Sequence, residues 1–391
     1  MKSRLVIALS AVAGLGAVAC GGGGSDVSER GNPQTPPAAG AWRIPDCTSV
    51  SGQPGITFTS DDGATRAPGA GPVAPGTVIL GLVALTTPNT LLTVVGSPGS
   101  SAKFLLSSDA GCTWRTTGQV TADPIYERAT LTAAGAMAYF WAEQTNSLYQ
   151  VPAEGAVTQL SATFNFYGLG VDENDPLRIR AAGLAPHCRA SCGGSTIRSS
   201  TDGGWSWSLA ESQSPYPFFN VYFSPASLDH MIATGAFDGA QVSFDGGKQW
   251  VISQGLDAEG EPIGYEAEVG PDGQTVWLLV DDPLADNDPT TSRSVLLLSR
   301  DGGVSFERAV TADDEHPFSA AETRLFTHPS DPDVVYFSYA DAGEGRSYLY
   351  RYDAGADELG WQAWPYSEGR VSALAFSPAD SRYLYLGLAR D

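Results

Sequence analysis

The sequence predicts an all-β chain folded as a single seven-bladed β-propeller, and three observations predict it. An octapeptide of the form Ser/Thr-x-Asp-x-Gly-x-x-aromatic recurs along the chain. A strand ending near a Pro/Asp turn, followed by a Tyr- or Val-rich strand, stands before the octapeptides. The two ends of the repeat array are incomplete in complementary ways, so joining them closes a ring and removes its sheet edges.

At the N-terminus, Lys2 and Arg4 precede an apolar run from Leu5 to Val18, then Ala19 and Cys20. This is the pattern of an export signal over residues 1–19. The run is too short to cross a bilayer, which takes roughly 20 residues. Ala17-Val18-Ala19-Cys20 resembles the bacterial lipobox, with Ala17 where that pattern prefers Leu. The resemblance implies cleavage before Cys20 and a diacylglycerol on its thiol; the alternative is ordinary cleavage with Cys20 as a stray thiol. Gly21 and Gly22, with no Asp at the first position, resemble lipoproteins sent to the outer membrane. Residues 20–41 open with glycines, add Pro33, Pro36 and Pro37, and hold few apolar side chains. Such a segment cannot bury a core and is expected to be a tether. The folded domain is then 42–391.

Removing Cys20 leaves Cys47, Cys112, Cys188 and Cys192, an even number suited to an oxidising compartment. Cys188 and Cys192 are close enough to staple one loop, which pairs Cys47 with Cys112. A metal site of His187, Cys188 and Cys192 is the rival reading of that loop. The formal charge of −22 disfavours nucleic acid and anionic membrane as partners. Only 17% of residues are charged, against 45 Gly and 26 Pro, which predicts many turns and short strands rather than helices.

The octapeptide stands at 107–114 (Asp109, Trp114), 200–207 (Asp202, Trp207), 243–250 (Asp245, Trp250) and 299–306 (Asp301, Phe306). A fifth copy at 59–66 keeps Asp61 and Gly63 but has Arg66 in the aromatic place. These copies resemble the Asp-box (BNR) repeats of sialidases, sortilin-type receptors, xyloglucanases and photosystem assembly propellers. The spacing suits a tight hairpin in which Asp accepts backbone N–H groups, Gly takes a positive φ and the aromatic ring enters the adjacent core. The box aspartates are therefore read as structural. Repeat units begin near Thr77, Ala129, Phe166, Phe218, Tyr265 and Glu322, with degenerate boxes expected around Leu148-Tyr149 and Tyr350-Tyr352. The seventh unit is split: Arg370 to Leu388 offers inner strands without a box, and Ile56 to Arg66 offers a box without inner strands.

Trp42-Arg43-Ile44-Pro45 resembles the Phe/Tyr-Arg-Ile-Pro signature that opens sialidase domains, which implies a carboxylate-gripping role for Arg43. The alternative is a linker end packing on the ring. Sialidases need two further arginines and a Tyr–Glu nucleophile pair, which the repeats do not assign, and they have six blades. A xyloglucanase-like cleft would need a second propeller.

Ligands of such rings meet the face where inner strands begin. Counting back from each Pro turn places Leu82, Arg128, Tyr167, Phe219, Tyr265, Thr323 and Ser372 there, with Glu266, Glu322 and Arg324 beside them. Three consecutive aromatic rings suit a sugar or peptide; alternatively they pack between blades. The aromatic loop 214–219 falls on that same face, with core burial as its rival reading. The acidic loop 281–288 offers oxygen ligands for calcium without the EF-hand spacing, and a solvated insertion is the plainer account. The four histidines form no zinc pattern and no triad.

The expected function is a non-catalytic binding or assembly platform on the cell envelope. It would recognise a protein or glycan as a monomer, without a cofactor, and touch membrane through its lipid alone. The alternative is a sialidase-like glycoside hydrolase with carboxylates in the central mouth. An assembly factor resembling the photosystem propellers would call for a basic patch, which this acidic chain does not offer.

Overall fold

The computed structural model describes residues 42–96, 102–120, 129–143, 145–153, 156–184, 196–213, 218, 220–235, 239–256, 263–282 and 293–390. The expected export signal and tether with Cys20, Arg128, Cys188 and Cys192, most of residues 214–219 including Phe219, and residues 283–292 lie outside the described residues.

The first strand, β1 (Ile56–Thr59), waits for the end of the chain. Blade one is β2 (Val78–Ala84), β3 (Leu91–Gly96), β4 (Ala102–Ser107) and β5 (Arg115–Val120). Blade two is β6 (Ala129–Ala134), β7 (Met137–Ala142), β8 (Ser147–Pro152) and β9 (Thr158–Ser161). Blade three is β10 (Asn165–Val171), β11 (Ile179–Leu184), β12 (Thr196–Ser200) and β13 (Ser208–Gln213). Blade four is β14 (Asn220–Ser224), β15 (Ser227–Thr234), β16 (Ala240–Ser243) and β17 (Val251–Ile252). Blade five is β18 (Ile263–Val269), β19 (Val276–Asp282), β20 (Arg293–Ser299) and β21 (Glu307–Thr311). Blade six is β22 (Arg324–Thr327), β23 (Val334–Asp341), β24 (Arg346–Asp353) and β25 (Glu358–Pro365). Blade seven joins β26 (Arg370–Phe376) and β27 (Leu384–Ala389) to β1.

The protein is thus a seven-bladed β-propeller whose last blade is closed by strands from both ends of the chain. All pairings within blades are antiparallel, and Ile56 to Thr59 lie opposite Gly387 to Leu384. Each inner strand lies beside the next around the ring, β26 beside β2 included. No blade has a core of its own. The clusters of buried side chains straddle neighbours, as with Val94, Phe104 and Leu106 of blade one against Leu131, Phe140 and Tyr149 of blade two. A single blade would leave both faces in water, which is why closure is coupled to folding.

Near the axis, blades converge and space is scarce. A side chain at Gly168 would put its Cβ 2.1 Å from the Val221 carbonyl oxygen of the next blade. The inner strands also bulge: register shifts by one residue at Leu80, Tyr167, Tyr265 and Ser372.

The octapeptides are hairpins between third and fourth strands. At Ser107–Trp114, the Ser107 hydroxyl donates to Asp109 Oδ1 (2.8 Å) and accepts the Gly111 N–H (2.9 Å). The Thr113 N–H donates to Asp109 Oδ1 at 2.9 Å, and the Thr113 hydroxyl to Oδ2 at 2.7 Å. Gly111 takes φ of 88°, a left-handed conformation that favours glycine. Trp114 is buried between blades one and seven, and Phe306 between blades four and five. Asp61, Asp202 and Asp301 repeat the arrangement, and Asp245 accepts the Lys248 and Gln249 N–H groups at a copy without the second hydroxyl. Burial would raise the Asp109 carboxyl, but the bonds from Thr113 and Ser107 outweigh it and hold it below its ordinary range. The degenerate boxes fall one step later than expected, because Leu148-Tyr149 and Tyr350-Tyr352 belong to the third strands themselves and the hairpins follow them.

Arg66 fills the aromatic place by borrowing a ring. Its guanidinium lies 4.5 Å over Trp364 of blade six and pairs with Glu368. A strap from Trp42 to Gly55 then binds blade one. The Ser51 N–H donates to the Cys112 carbonyl and the Trp114 N–H returns to Ser51. The Cys47–Cys112 disulfide pins the strap, with Cα atoms 5.9 Å apart.

Candidate functional site

The inner strands leave a cavity of about 330 Å³ along the axis, lined by blades two to six. It follows β6 from Thr130 to Ala133, the C-terminal halves of β10 and β18 and the whole of β14. This is toward the turns that end the inner strands, whereas the sequence pointed to the face where they begin.

Strand β18 supplies its charge. Past the bulge at Tyr265, Glu266 and Glu268 fall two apart on one face of the strand. Glu266 is 7% exposed, and its Oε1 accepts the Leu325 N–H of β22 at 2.8 Å. Its Oε2 accepts Arg324 Nη1 at 3.1 Å. One carboxylate therefore ties blade five to the inner edge of blade six. Burial alone would lower the Arg324 pKa, but the facing Glu266 carboxylate outweighs it and raises it.

Glu268 is different. Desolvation, reinforced by the neighbouring charge of Glu266, pushes its carboxyl up to about 8. Among the described residues no hydrogen bond reaches that carboxyl. Glu173, at another part of the cavity wall, is also raised, by burial and then by Asp172. Trp141, Tyr222 and Phe223 give the cavity aromatic wall, and Thr130, Thr132 and Thr327 add hydroxyls.

Glu266 and Arg324, expected to add hydrogen bonds to a ligand, are paired with each other. Of the three aromatic residues expected on the ring face, Tyr167 and Tyr265 are described, and neither lines the cavity. Tyr265, at its bulge, packs between blades five and six against a core that includes Leu325 and Phe337, and its carbonyl accepts the Tyr222 hydroxyl at 3.1 Å. Tyr167 is half-buried, and burial followed by the charge of Glu143 raises its phenol. Leu82 and Thr323 are buried. The Ser372 hydroxyl donates to the Ile79 carbonyl across the seam between blades seven and one. Glu322 is exposed.

Arg43 is exposed outside the cavity, where its backbone N–H donates to Asn89 Oδ1 at 2.8 Å on the first turn of blade one. Among the described residues lining the cavity, Arg324 is the one arginine. No cluster of three metal-ligating side chains occurs among the described residues. Asp281, at the head of the acidic insertion, accepts the Ser294 hydroxyl at 2.7 Å.

Sequence reasoning missed Glu268, Glu173 and Tyr222. For Glu268 the signal was present in Tyr265-Glu266-Ala267-Glu268-Val269, where two carboxyls at period two share one face of an inner strand.

The fold and this site define the class: a single seven-bladed propeller with a charged, partly enclosed axial cavity. No family model matches the chain. It is 34% identical over 365 residues, spanning 91% of this chain and 92% of the relative, to the Dispase autolysis-inducing protein of Streptomyces mobaraensis. The chain belongs to that protein's family. Among solved structures it is similar in fold to an ancestral GH74 enzyme, at TM-score 0.48 and 14% identity over 75% of this chain and 39% of that one. Sqt1 of Saccharomyces cerevisiae gives TM-score 0.46 and 10% identity over 78% and 79% of the two chains. The structure titled "YCF48 bound to D1 peptide" gives 0.40 and 14% over 74% and 96%.

Proposed function

We propose that this chain is a non-catalytic propeller that engages a protease and promotes its self-cleavage, held at a bacterial cell surface by a lipid on Cys20 and a tether over 20–41. The observation that carries the reading is the end-to-end relationship to a protein named for inducing autolysis of Dispase. The Cys47–Cys112 disulfide is consistent with an oxidising compartment outside the cytoplasm. The octapeptide hairpins, read as Asp boxes, give the ring rigid outer corners.

The surface best suited to a protein partner is on blades three and four. Trp205, on the blade-three hairpin, is 66% exposed, and Leu209, Phe244, Val251 and Ile252 on the same two blades are each about half exposed. Large apolar side chains held out by rigid hairpins are the usual anchors of a protein interface. The glycosidase alternative has less to support it. Glu266 is committed to Arg324 and the Leu325 N–H, and Arg43 stands outside the cavity.

The test is incubation of Dispase with the soluble domain starting at Trp42, following loss of intact protease. Faster self-cleavage, diminished by Trp205→Ala without loss of fold, is expected. Unchanged decay at molar excess of the domain would overturn the reading; binding on a glycan array instead would favour a glycan platform.

A further inference from the structure

We propose that the axial cavity is a binding site for an organic monocation on a slim apolar stem, an alkylammonium or alkylguanidinium group of the kind that ends a lysine or arginine side chain. The inference is independent of the protease reading.

Four observations converge on it. The space, about 330 Å³, is of the size that small ligands occupy. Its wall offers two carboxyls, Glu268 and Glu173, to which no described residue gives a hydrogen bond. The other carboxylate on the same strand, Glu266, is neutralised by Arg324, so on β18 Glu268 is the group left to answer a ligand. Trp141, Tyr222 and Phe223 line the approach, and aromatic faces attract cations as well as apolar stems. An anion would meet three carboxyl groups, Glu173, Glu266 and Glu268, against one arginine.

The acidic and basic groups that line the cavity with Glu268 are Glu266 on its own strand, Arg324 on β22 and Glu173 beyond β10, and the Tyr222 hydroxyl on β14 donates to the Tyr265 carbonyl. Blade two contributes hydroxyls from Thr130 and Thr132. Without a cation, Glu268 holds its proton at neutral pH. A monocation binds the ionised form, so the carboxyl releases its proton to solvent as the ligand enters, and charge balances inside the cavity. The net charge of −22 adds a long-range attraction for cations.

The experiment is calorimetric titration of the 42–391 domain with n-butylammonium, 1-butanol and a lysine capped at both ends. n-Butylammonium is expected to bind at millimolar or lower concentration, at least about tenfold tighter than 1-butanol, with about one proton released at pH 7. With a carboxyl titrating near 8, the affinity rises about tenfold between pH 7 and pH 9. Glu268→Gln should abolish that rise and weaken binding at pH 9 at least about tenfold. Glutamine copies the protonated carboxyl already present at pH 7, so this variant keeps the fold. If the capped lysine binds too, the natural ligand is a protein side chain; if the free amine alone binds, it is a small molecule. Equal affinity for butanol, pH-independent binding, full binding by Glu268→Gln, or no binding of n-butylammonium would each overturn the proposal.

Discussion

Glu266 and Arg324 meet at 3.1 Å across the joint between blades five and six, and the second carboxylate oxygen of Glu266 takes the backbone N–H of Leu325. Inner strands have no neighbour on the axis side, so their N–H groups need a partner from elsewhere. Arg324→Ala leaves Glu266 buried beside Glu268 without a counter-charge, which is expected to cost about 3–5 kcal/mol. Pairing it with Glu266→Gln removes the stranded charge and should recover part of that loss. Urea denaturation of the single and double variants measures both; equal stability of Arg324→Ala and the parent would contradict the assignment.

Glu268 gives the fold a pH dependence of definite sign. Its folded-state pKa, about 8, lies above its value in the unfolded chain. Between the two, the native state binds more protons than the unfolded one, so this group's contribution to stability falls as pH rises from the ordinary glutamate range to about 8. Glu268→Gln should therefore leave stability near pH 4 unchanged and raise it at pH 8.5, by on the order of a few kcal/mol. Denaturation midpoints at those two pH values decide it, and a variant less stable at pH 8.5 would refute it.

The octapeptide aspartates contribute stability of the opposite pH sign. Asp109 is held below its ordinary range, so its contribution is present above the unfolded-state pKa and lost as pH falls through the folded one. Asp109→Ala removes the acceptor of the Thr113 N–H, the Thr113 hydroxyl and the Ser107 hydroxyl. The expected loss is about 1–3 kcal/mol, while Asp109→Asn, which keeps one acceptor oxygen, should lose less. Acid unfolding of the alanine variant should begin from a lower plateau and with a shallower slope.

The ring was legible in the sequence because its determinants are local. Ser107, Asp109, Gly111 and Trp114 act within eight residues of chain, and an octapeptide at 59–66 without inner strands before it announces the seam. The pairing of Cys47 with Cys112 followed from the same reading. The cavity was not legible, because a bulge moves the register by one residue and exchanges the faces of a strand. Counting back from the turn placed Tyr265 at the face where its inner strand begins; the bulge there sets its ring between blades, and beyond it Glu266 and Glu268 line the cavity. Arg66 was equally opaque, since what replaces its missing aromatic ring is Trp364, contributed from the far end of the chain.

The strap from Trp42 to Gly55 carries the last prediction. It contacts blade one through Ser51 and the Cys47–Cys112 bridge, and continues directly into β1, the outer strand of blade seven. The bridge therefore fixes the strand that completes closure, and it encloses a sequence separation of 65 residues. Loop-closure entropy for a ring of that length amounts to about 4 kcal/mol, an upper value for what the bridge contributes. The Cys47→Ser, Cys112→Ser double variant is expected to unfold about 2–4 kcal/mol more easily. Because the blades share their cores, the loss should be spread over the whole ring rather than confined to the strap. Hydrogen exchange locates it: protection should fall in β1, β26 and β27 and in blade one together. Weakened protection in the strap alone would show that closure of the ring does not depend on the bridge.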